Sequence, residues 1–290
     1  TPTEPGTYEV KQILFASAED REPNQGGLVD TPDGKWYFLT QTGRGGFPDG
    51  RDLHLLPVQW VDGWPIPGKM RPDGMGELQW SAEKPVKGFS ITYPQGSDEF
   101  NTATIKPDWQ WNYQPRADKW SLTERPGYLR LHAFKPIEPG KFFKTGNTLG
   151  QRYFWSDTLT AAVKIDISHM ADGQEAGFAH FNGGKNYSTL GVYQSQGSRK
   201  LKYEEDGKAI EGITLPAGTK TIWLRSAMSG KHINTYAYSL DGKRFTSFGS
   251  NYLLKWGSYR GDYLGLYCFN KEQEQGYIDV DWFHYTMVNR

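Results

Sequence analysis

The sequence predicts an all-β protein. From residue 98 onward, short apolar and aromatic runs recur between turns rich in Gly, Asn and Asp. No stretch shows a convincing helical period, and no repeat of fixed length is present. Eight or more short strands over about two hundred residues are typical of a β-sandwich or jelly roll rather than of an α/β fold.

The first eighty residues predict a smaller sheet. Strand-like runs at 9–16, 27–30, 35–40 and 51–60 are separated by glycine turns, and the TPDG turn at 31–34 makes a hairpin of the second and third runs. Three or four antiparallel strands with tight turns form one propeller blade or a small sheet. Such a unit, with both edges unpaired, is not expected to be stable alone.

The densest aromatic stretch is DWQWNYQPRADKWSLTERPGYLRL, residues 108–131. Trp109 and Trp111 alternate with polar residues, which predicts that both indoles lie on one face of a strand. Pro115 breaks that run, and Pro126-Gly127 supplies the residues of a tight turn between two further strands. The stretch therefore predicts a strand followed by a β-hairpin.

Length and charge exclude several classes of protein. The chain has 290 residues, enough for one or two domains, and 33 basic and 33 acidic side chains give a net charge of +0. The sequence has no basic patch that would predict a nucleic-acid partner. It also has no run that approaches the ~18 apolar residues of a membrane span. The start of the chain lacks the pattern of a signal peptide, so we expect a soluble mature chain.

Two features of the composition leave alternatives open. The single cysteine, Cys268, cannot form an internal disulfide, and this leaves the compartment undecided. Aromatic residues make up 15% of the chain, with 11 tryptophans. Sugar rings stack on aromatic planes, but large β-sheets also use aromatic side chains as core.

Three segments carry a resemblance to a known family. WQWNYQPRADKWSLTERPGYLRL resembles the opening of the C-terminal β-sandwich of family 43 glycoside hydrolases, the β-xylosidases and α-L-arabinofuranosidases. NQGGLVDTPDGKWYFL and GRDLHLLPVQWVDGWPIPG are similar to the last blade of that family's five-bladed β-propeller. The resemblance implies propeller sequence over 1–80, a linker over 81–97 and a concanavalin-like (jelly-roll) β-sandwich over 98–290.

The resemblance also implies a function. It implies part of an exo-acting, inverting glycosidase that acts on xylo- or arabino-oligosaccharides from hemicellulose. The blades that carry the family's catalytic carboxylates have no counterpart in this sequence. We therefore expect no catalytic residue in this chain, and we expect an upstream propeller segment as its partner. A secreted or periplasmic bacterial enzyme is favoured, with a cytoplasmic one left open.

Two other classes of function remain possible. The chain could be a free-standing carbohydrate-binding module with a residual blade, or a sandwich that only supports the propeller. If it belongs to an enzyme, it could be half of a clipped protein or a truncated form. The sequence does not choose xylose over arabinose, because the discriminating residues would lie in the missing blades.

Carboxylates are plentiful, but turn chemistry explains most of them. Six aspartates precede a glycine, the pairing that tight turns favour: Asp33, Asp62, Asp73, Asp172, Asp206 and Asp241. The six histidines are widely separated, and no HExxH, GxSxG or phosphate-binding glycine motif is present. Zinc-hydrolase and serine-hydrolase chemistry therefore find no support.

Three residues are candidates for substrate binding. Arg51 opens a strand after a glycine-rich loop and stands where the resemblance places the family's active-site arginine; the alternative is a solvated arginine. Asn24 stands where the family frequently has an axial histidine linked to a cation, or it is a plain loop residue. Tyr259, in the loop WGSYRGDY at 256–263, is expected at the rim of the propeller pocket, or it is an ordinary exposed tyrosine.

Asp98 and Asp281 are the candidate metal ligands. They would lie side by side if the first and last strands of the sandwich pair, and Ca²⁺ requires several such oxygens. The resemblance implies this structural calcium too. The alternative is that Asp281 is a solvated residue alternating with Val280 and Trp282.

Overall fold

The computed structural model confirms the all-β fold. It describes residues 4–6, 8–15, 21–44, 48–79, 81–90, 92–93, 95–113, 115–153, 158–184 and 186–288, without the side chains of 21, 22, 24, 43 and 44. The chain divides into two compact units, residues 1–46 with 50–91 and residues 47–49 with 92–290. The division at residue 91 falls inside the predicted linker 81–97, whose residues 81–90 form no strand. None of the described helices is both long and apolar enough to cross a membrane.

The first unit is a four-stranded antiparallel meander. Its strands pair in chain order: β1 (Arg21–Asp30), β2 (Trp36–Arg44), β3 (Arg51–Val61) and β4 (Trp64–Pro67). The predicted hairpin is confirmed, because Thr31 N–H donates to the Lys35 carbonyl and Gly34 N–H to the Thr31 carbonyl, at 2.9 and 2.8 Å. A separate pair, β5 (Lys69–Met70) and β6 (Gly76–Glu77), follows.

The predicted strand over 9–16 is wrong for the described residues of that segment. Only a short bridge forms, in which Phe15 N–H donates to the Gly76 carbonyl and Gly76 N–H to the Ile13 carbonyl. Val10 is 83% exposed. Alternating apolar residues make a strand only where a neighbour supplies hydrogen bonds along the whole run, and here the neighbour is two residues long.

The second unit is a sandwich of two antiparallel sheets. The seven-stranded sheet has the order β15 (Lys208–Thr214), β14 (Ser198–Glu205), β13 (Asn186–Ser195), β12 (Gln174–Asn182), β20 (Asp262–Asn270), β10 (Asn147–Arg152) and β7 (Gln110–Trp111). The eight-stranded sheet has the order β18 (Thr246–Ser247), β17 (Ile233–Ser239), β16 (Thr221–Ser229), β11 (Thr158–Asp166), β21 (Tyr277–Val288), β9 (Leu129–His132) and β8 (Trp120–Ser121), with β19 (Tyr252–Leu253) paired to β17. Short 3-10 helices lie at Ala117–Lys119 and Phe142–Lys144.

The strand-like runs of the sequence at 159–167, 176–182, 189–194, 201–204, 221–226, 233–239, 263–269 and 277–285 each fall on a strand, whereas two other strands lacked a clear pattern. The residues of β15 are almost all exposed, because it is an edge strand, so no apolar alternation marks it. β10 has the polar sequence NTLGQR and is nevertheless buried. The Asn147 amide donates to the carbonyls of Lys119 and His132, and Gln151 exchanges two hydrogen bonds with the backbone of Gly96. These bonds compensate burial of the amides.

One apolar core joins the two sheets. The rings of Phe178 on β12 and Phe283 on β21 meet edge to face, with centroids 5.9 Å apart. Trp109 is buried in the same core against Phe283, and Trp111 packs on its margin beside Trp120. The indoles of Trp109 and Trp111 thus pack on the same core, as the alternation predicts, although the strand itself includes only Trp111.

The outer face of the seven-stranded sheet carries a second aromatic cluster. Every residue of its central strands β12 and β20 is buried, because both faces of these strands are covered. On the outer side, the ring of Phe181 lies against Gly150, where an added Cβ would stand 3.0 Å from the ring. The Tyr267 hydroxyl reaches similarly over Gly191. Glycines thus let aromatic rings lie flat on the sheet.

A buried carboxylate, Asp279 in β21, ties three parts of the sandwich together. The Arg130 guanidinium on β9 binds it through two atoms, Nε to Oδ1 at 2.7 Å and Nη2 to Oδ2 at 2.9 Å. Arg125, in the predicted turn, donates to Asp279 at 3.0 Å and to Asp166 on β11 at 2.8 Å. The side chain of Asp279 is 1% exposed. Such a carboxylate requires its charge-assisted partners.

The outer face also carries a compact group of charges. Lys202 on β14 binds Glu175 at 2.9 Å and Glu204 at 2.7 Å, and Lys271 binds Glu175 at 2.5 Å. Burial of Glu204 opposes its charge, but hydrogen bonds from Lys202 and from the Tyr187 hydroxyl outweigh burial and lower the pKa of Glu204 below its ordinary 4.5.

We expect Asp279→Asn to lower the free energy of unfolding by on the order of 3 kcal/mol, because two arginines lose their buried partner. Asp281→Asn, two residues along the same strand, is the matched control. Its carboxylate is 24% exposed and binds Lys164, whose side chain is 33% exposed, so the expected loss is about 1 kcal/mol or less. Denaturant unfolding of both variants measures the difference, and equal losses would contradict the role of Asp279.

Acid should destabilise the sandwich partly through Glu204. The pKa of Glu204 in the folded state lies below its value in the unfolded state. As the pH falls, the unfolded chain therefore takes up a proton at this residue before the folded chain does. The stabilisation present above pH 4.5 is lost as the pH falls through the folded-state pKa. Glu204→Gln should flatten the fall of the unfolding free energy below pH 4.5. Urea titrations from pH 3 to pH 7, compared with wild type, measure that slope, and an unchanged slope would refute this assignment.

Candidate functional site

A bulge in β1 shapes the polar end of the four-stranded sheet. Register shifts between Asn24 and Gly26, and Gln25 adopts φ 54°. At Gly26 an added Cβ would lie 2.5 Å from the Leu39 carbonyl and 2.5 Å from the Phe38 ring, so only glycine fits. Thr40 Oγ1 donates to the Gln25 carbonyl at 2.8 Å. The NQGG sequence is thus a bulge that turns the Gln25 side chain along the sheet.

Arg51, the leading candidate, lies beside that bulge. It begins β3 and pairs with Gly43 of β2. The Gln25 Oε1 atom accepts from Gln41 Nε2 at 2.5 Å and, at a longer 3.4 Å, from Arg51 Nη1. A neutral amide orients a guanidinium without neutralising its charge. The arrangement can present a cation to a carboxylate or to sugar hydroxyls.

Neighbouring polar residues extend this end of the sheet. Thr42 is 3% exposed, and its hydroxyl lies 2.8 Å from His54 Nε2. Asn24 pairs with Gln41 through its backbone, but its side chain lies outside the described residues. Its predicted role near a propeller axis therefore stays a prediction, as does the role of Arg51.

Sequence reasoning missed Gln25 and Gln41. The glycines of NQGG drew attention to Asn24, the residue that the resemblance pointed to. The available signal was the polar residue directly before two glycines, a pattern typical of a β-bulge.

Three of the six Asp-Gly carboxylates bind groups within their own turns. Asp33 accepts from the Thr31 hydroxyl and from Lys35. Asp73 accepts from the Met75 amide, and the backbone amides of Lys243 and Arg244 hold Asp241 and lower its pKa. Asp172 instead accepts from the Gly197 amide, and Asp206 from the Tyr187 amide and Lys255, all outside their own turns, while Asp62 adopts positive φ. None of these arrangements is that of an acid–base pair.

Tyr259 lies in the sandwich unit, in the loop between β19 and β20. It is 60% exposed, and its ring meets Trp256 edge to face at 5.7 Å. An exposed aromatic pair is suited to contact with a sugar ring. The prediction that Tyr259 rims a substrate pocket stays a prediction.

Asp98 and Asp281 have separate partners. Asp98 and Phe283 exchange two backbone hydrogen bonds, so the first segment and last strand of the sandwich do meet. The Asp98 carboxylate nevertheless turns inward, accepting from the Trp109 indole at 2.8 Å and from Lys106 at 2.8 Å. Asp281 binds Lys164.

The carboxylates of Asp98 and Asp281 do not fit a shared calcium ion. Ca²⁺ requires six to eight oxygen ligands, and cationic or N–H groups already occupy both carboxylates. Across the described residues, no group of three or more His, Cys, Asp or Glu side chains could hold a metal. The calcium site stays a prediction without support from this geometry.

Ser226, His180 and Asp262 form a chain that resembles a hydrolase triad. His180 Nδ1 lies 2.6 Å from Asp262 Oδ2, and His180 Nε2 lies 3.0 Å from Ser226 Oγ. All three are at most 1% exposed, and Ser226 donates onward to Asn234. Burial raises the pKa of Asp262, although His180 opposes that effect. A nucleophile needs access to substrate, so this network links the two sheets and performs no catalysis.

Comparison with known proteins gives a family. The model of the β-xylosidase C-terminal concanavalin A-like domain (GH43_C2) matches residues 97–286. A β-xylosidase of Formosa agariphila is 37% identical over 97% of this chain and 51% of its own length. A non-reducing end α-L-arabinofuranosidase of Bacteroides ovatus is 26% identical over 90% of this chain and 50% of its own.

Solved structures agree. The bifunctional GH43-CE protein of Bacteroides eggerthii is 28% identical with a TM-score of 0.77, covering 93% of this chain and 35% of that one. The chain spans about half the length of the curated relatives it matches. The resemblance found in residues 109–131 is therefore confirmed, and the chain belongs to glycoside hydrolase family 43 and carries that family's C-terminal concanavalin A-like domain.

Proposed function

We propose that this chain is part of an exo-acting glycosidase that releases xylosyl or arabinofuranosyl units, with inversion, and that an upstream propeller segment supplies the catalytic carboxylates. The single observation that carries the proposal is the family 43 match, together with relatives named as β-xylosidases and an arabinofuranosidase. The turn roles of Asp33, Asp73 and Asp241 agree with an acid and a base supplied from outside this chain.

An apolar face of the first sheet supports an upstream partner. Val29, Leu39, Leu53 and Leu55 lie on one face across β1, β2 and β3 and are 41–68% exposed. Exposed aliphatic patches of this kind mark interaction surfaces or invite aggregation. In a closed propeller, each blade face packs on a neighbouring blade. The relatives are about twice as long as this chain, which leaves a partner of sufficient size.

In this reading Arg51 positions substrate or a catalytic carboxylate. Glycoside hydrolysis with inversion uses a general acid and a general base about 6.5–9.5 Å apart, with a water between base and anomeric carbon. A guanidinium at that place can hold a sugar hydroxyl or the charged carboxylate by two parallel hydrogen bonds. The Gln25 side chain at the bulge contacts this guanidinium at 3.4 Å.

Assembly is the first test. When the chain is co-expressed with the upstream segment and only one half is tagged, both should co-purify. Leu53→Lys should prevent this, because an ammonium would enter the apolar contact. Leu253→Lys, at a residue of 52% exposure on the sandwich, is the matched control and should leave co-purification intact. If the wild-type chain and the upstream segment do not associate, the proposal that they form one enzyme is refuted.

Arg51→Ala should lower kcat/KM of the assembled enzyme on aryl β-xylosides or arabinofuranosides by at least about tenfold, the loss of one charge-assisted contact. Arg51→Lys should recover part of this, and Arg71→Ala, elsewhere in the same unit, should have no effect. Proton NMR of the first product formed from a β-xyloside should show the α-anomer. Unchanged activity in Arg51→Ala would remove Arg51 from the site.

A further inference from the structure

A cleft crosses the outer face of the seven-stranded sheet, inside the sandwich unit. Its main cavity has a volume of about 750 Å³, within the usual range for ligand sites. Five aromatic side chains line it: Phe142, Phe143, Phe181, Tyr187 and Tyr263. Phe143 is the least buried of these, and the others are 3–7% exposed. The floor is therefore aromatic and already packed in the absence of ligand.

The aromatic side chains are fixed by one another. Phe142 stacks on Tyr187 with ring centroids 4.8 Å apart, and Phe143 meets Tyr187 edge to face at 5.5 Å. Phe181 stacks on Tyr263 at 5.6 Å. A side chain that is already ordered loses little entropy when a ligand binds. Sugar rings present flat C–H faces that pack on aromatic rings, and Phe143, the least buried of the five, is the ring placed to make such a contact.

Polar groups surround this floor. Arg260 lies over the Tyr263 ring at 5.1 Å, and Asn112, Lys141 and Asp206 also line the cavity. The combination of aromatic surface with a few amide, ammonium, guanidinium and carboxylate groups provides both stacking and hydrogen bonds to hydroxyls. It does not suit a purely apolar ligand.

The cavity continues along the sheet. A pocket of about 50 Å³ adjoins it at Gly140, Lys141 and Phe142, and a third cavity of about 370 Å³ adjoins that pocket at Glu175 and Lys271. Adjoining cavities that share lining residues suit a chain of several units better than a single small molecule. The middle of the cleft contains the preformed charges of Glu175 and Lys271.

We infer that this cleft binds a linear oligosaccharide on the sandwich itself, independently of hydrolysis. The choice of a β-linked xylose oligomer as the ligand rests on the proposed function, whereas the site rests on the cleft. It would hold the polymer from which terminal sugars are released. The sandwich would then be a binding module in addition to any structural role.

The test measures binding of xylohexaose to the chain by calorimetry and by NMR of the ligand. Wild type should bind with a millimolar or lower Kd. Phe143→Ala and Arg260→Ala should each weaken binding by about fivefold or more, the usual effect of a contact that carries binding energy. Trp223→Ala, a half-buried aromatic on β16 of the other sheet, is the matched control and should bind as wild type does.

Each outcome decides the inference. The inference is overturned if wild type shows no binding at ligand concentrations ten times a millimolar Kd. It is also overturned if folded Phe143→Ala and Arg260→Ala both bind as tightly as wild type. Circular dichroism establishes folding, and Arg260→Ala changes an exposed side chain, so one variant remains informative if Phe143→Ala unfolds. Hydrolysis by the assembled enzyme without binding here would leave the proposed function standing and refute only the cleft.

Discussion

The sandwich depends on the buried carboxylate of Asp279. Two arginines from the segment 125–130 bind it, and one of them also holds Asp166 on β11. The hairpin of β8 and β9, the last strand and the central strand of the eight-stranded sheet are thereby fixed in one register. Burial of one charge is tolerated because its partners are planar guanidiniums that match a carboxylate in geometry. The dense sequence of residues 108–131 is explained by this requirement as much as by its aromatic residues.

The seven-stranded sheet obeys a different constraint, since both of its faces must be covered. Its inner face packs on the other sheet, while glycines and flat aromatic rings cover the outer face. Covering a sheet with rings rather than with a helix leaves a depression wherever the rings end. The cleft is therefore a direct consequence of how the outer face is packed, and contacts between rings already order its aromatic floor.

Most of the fold could be predicted from period and turns, because strands such as β12 and β20 carry their own apolar pattern. The edge strand β15 and the polar strand β10 could not, since exposure or hydrogen bonds to distant backbone groups decide their conformation. For the site, Arg51 could be placed at a strand end, but the bulge that brings Gln25 to it depends on the register of β1 against β2. The inward turn of Asp98 toward Trp109 likewise requires three-dimensional packing that no local pattern records.

The two units differ in how far their own residues account for their stability. The sandwich has a core common to two sheets and satisfies its buried charges internally, so its own residues account for its stability. The four-stranded sheet has few buried side chains, and one of its faces presents four aliphatic residues to solvent. A sheet of this size gains too little from burial to offset the entropy of ordering its strands. Under the proposal that an upstream segment covers the aliphatic face, the position of Arg51 at one end of that sheet would depend on assembly with that segment.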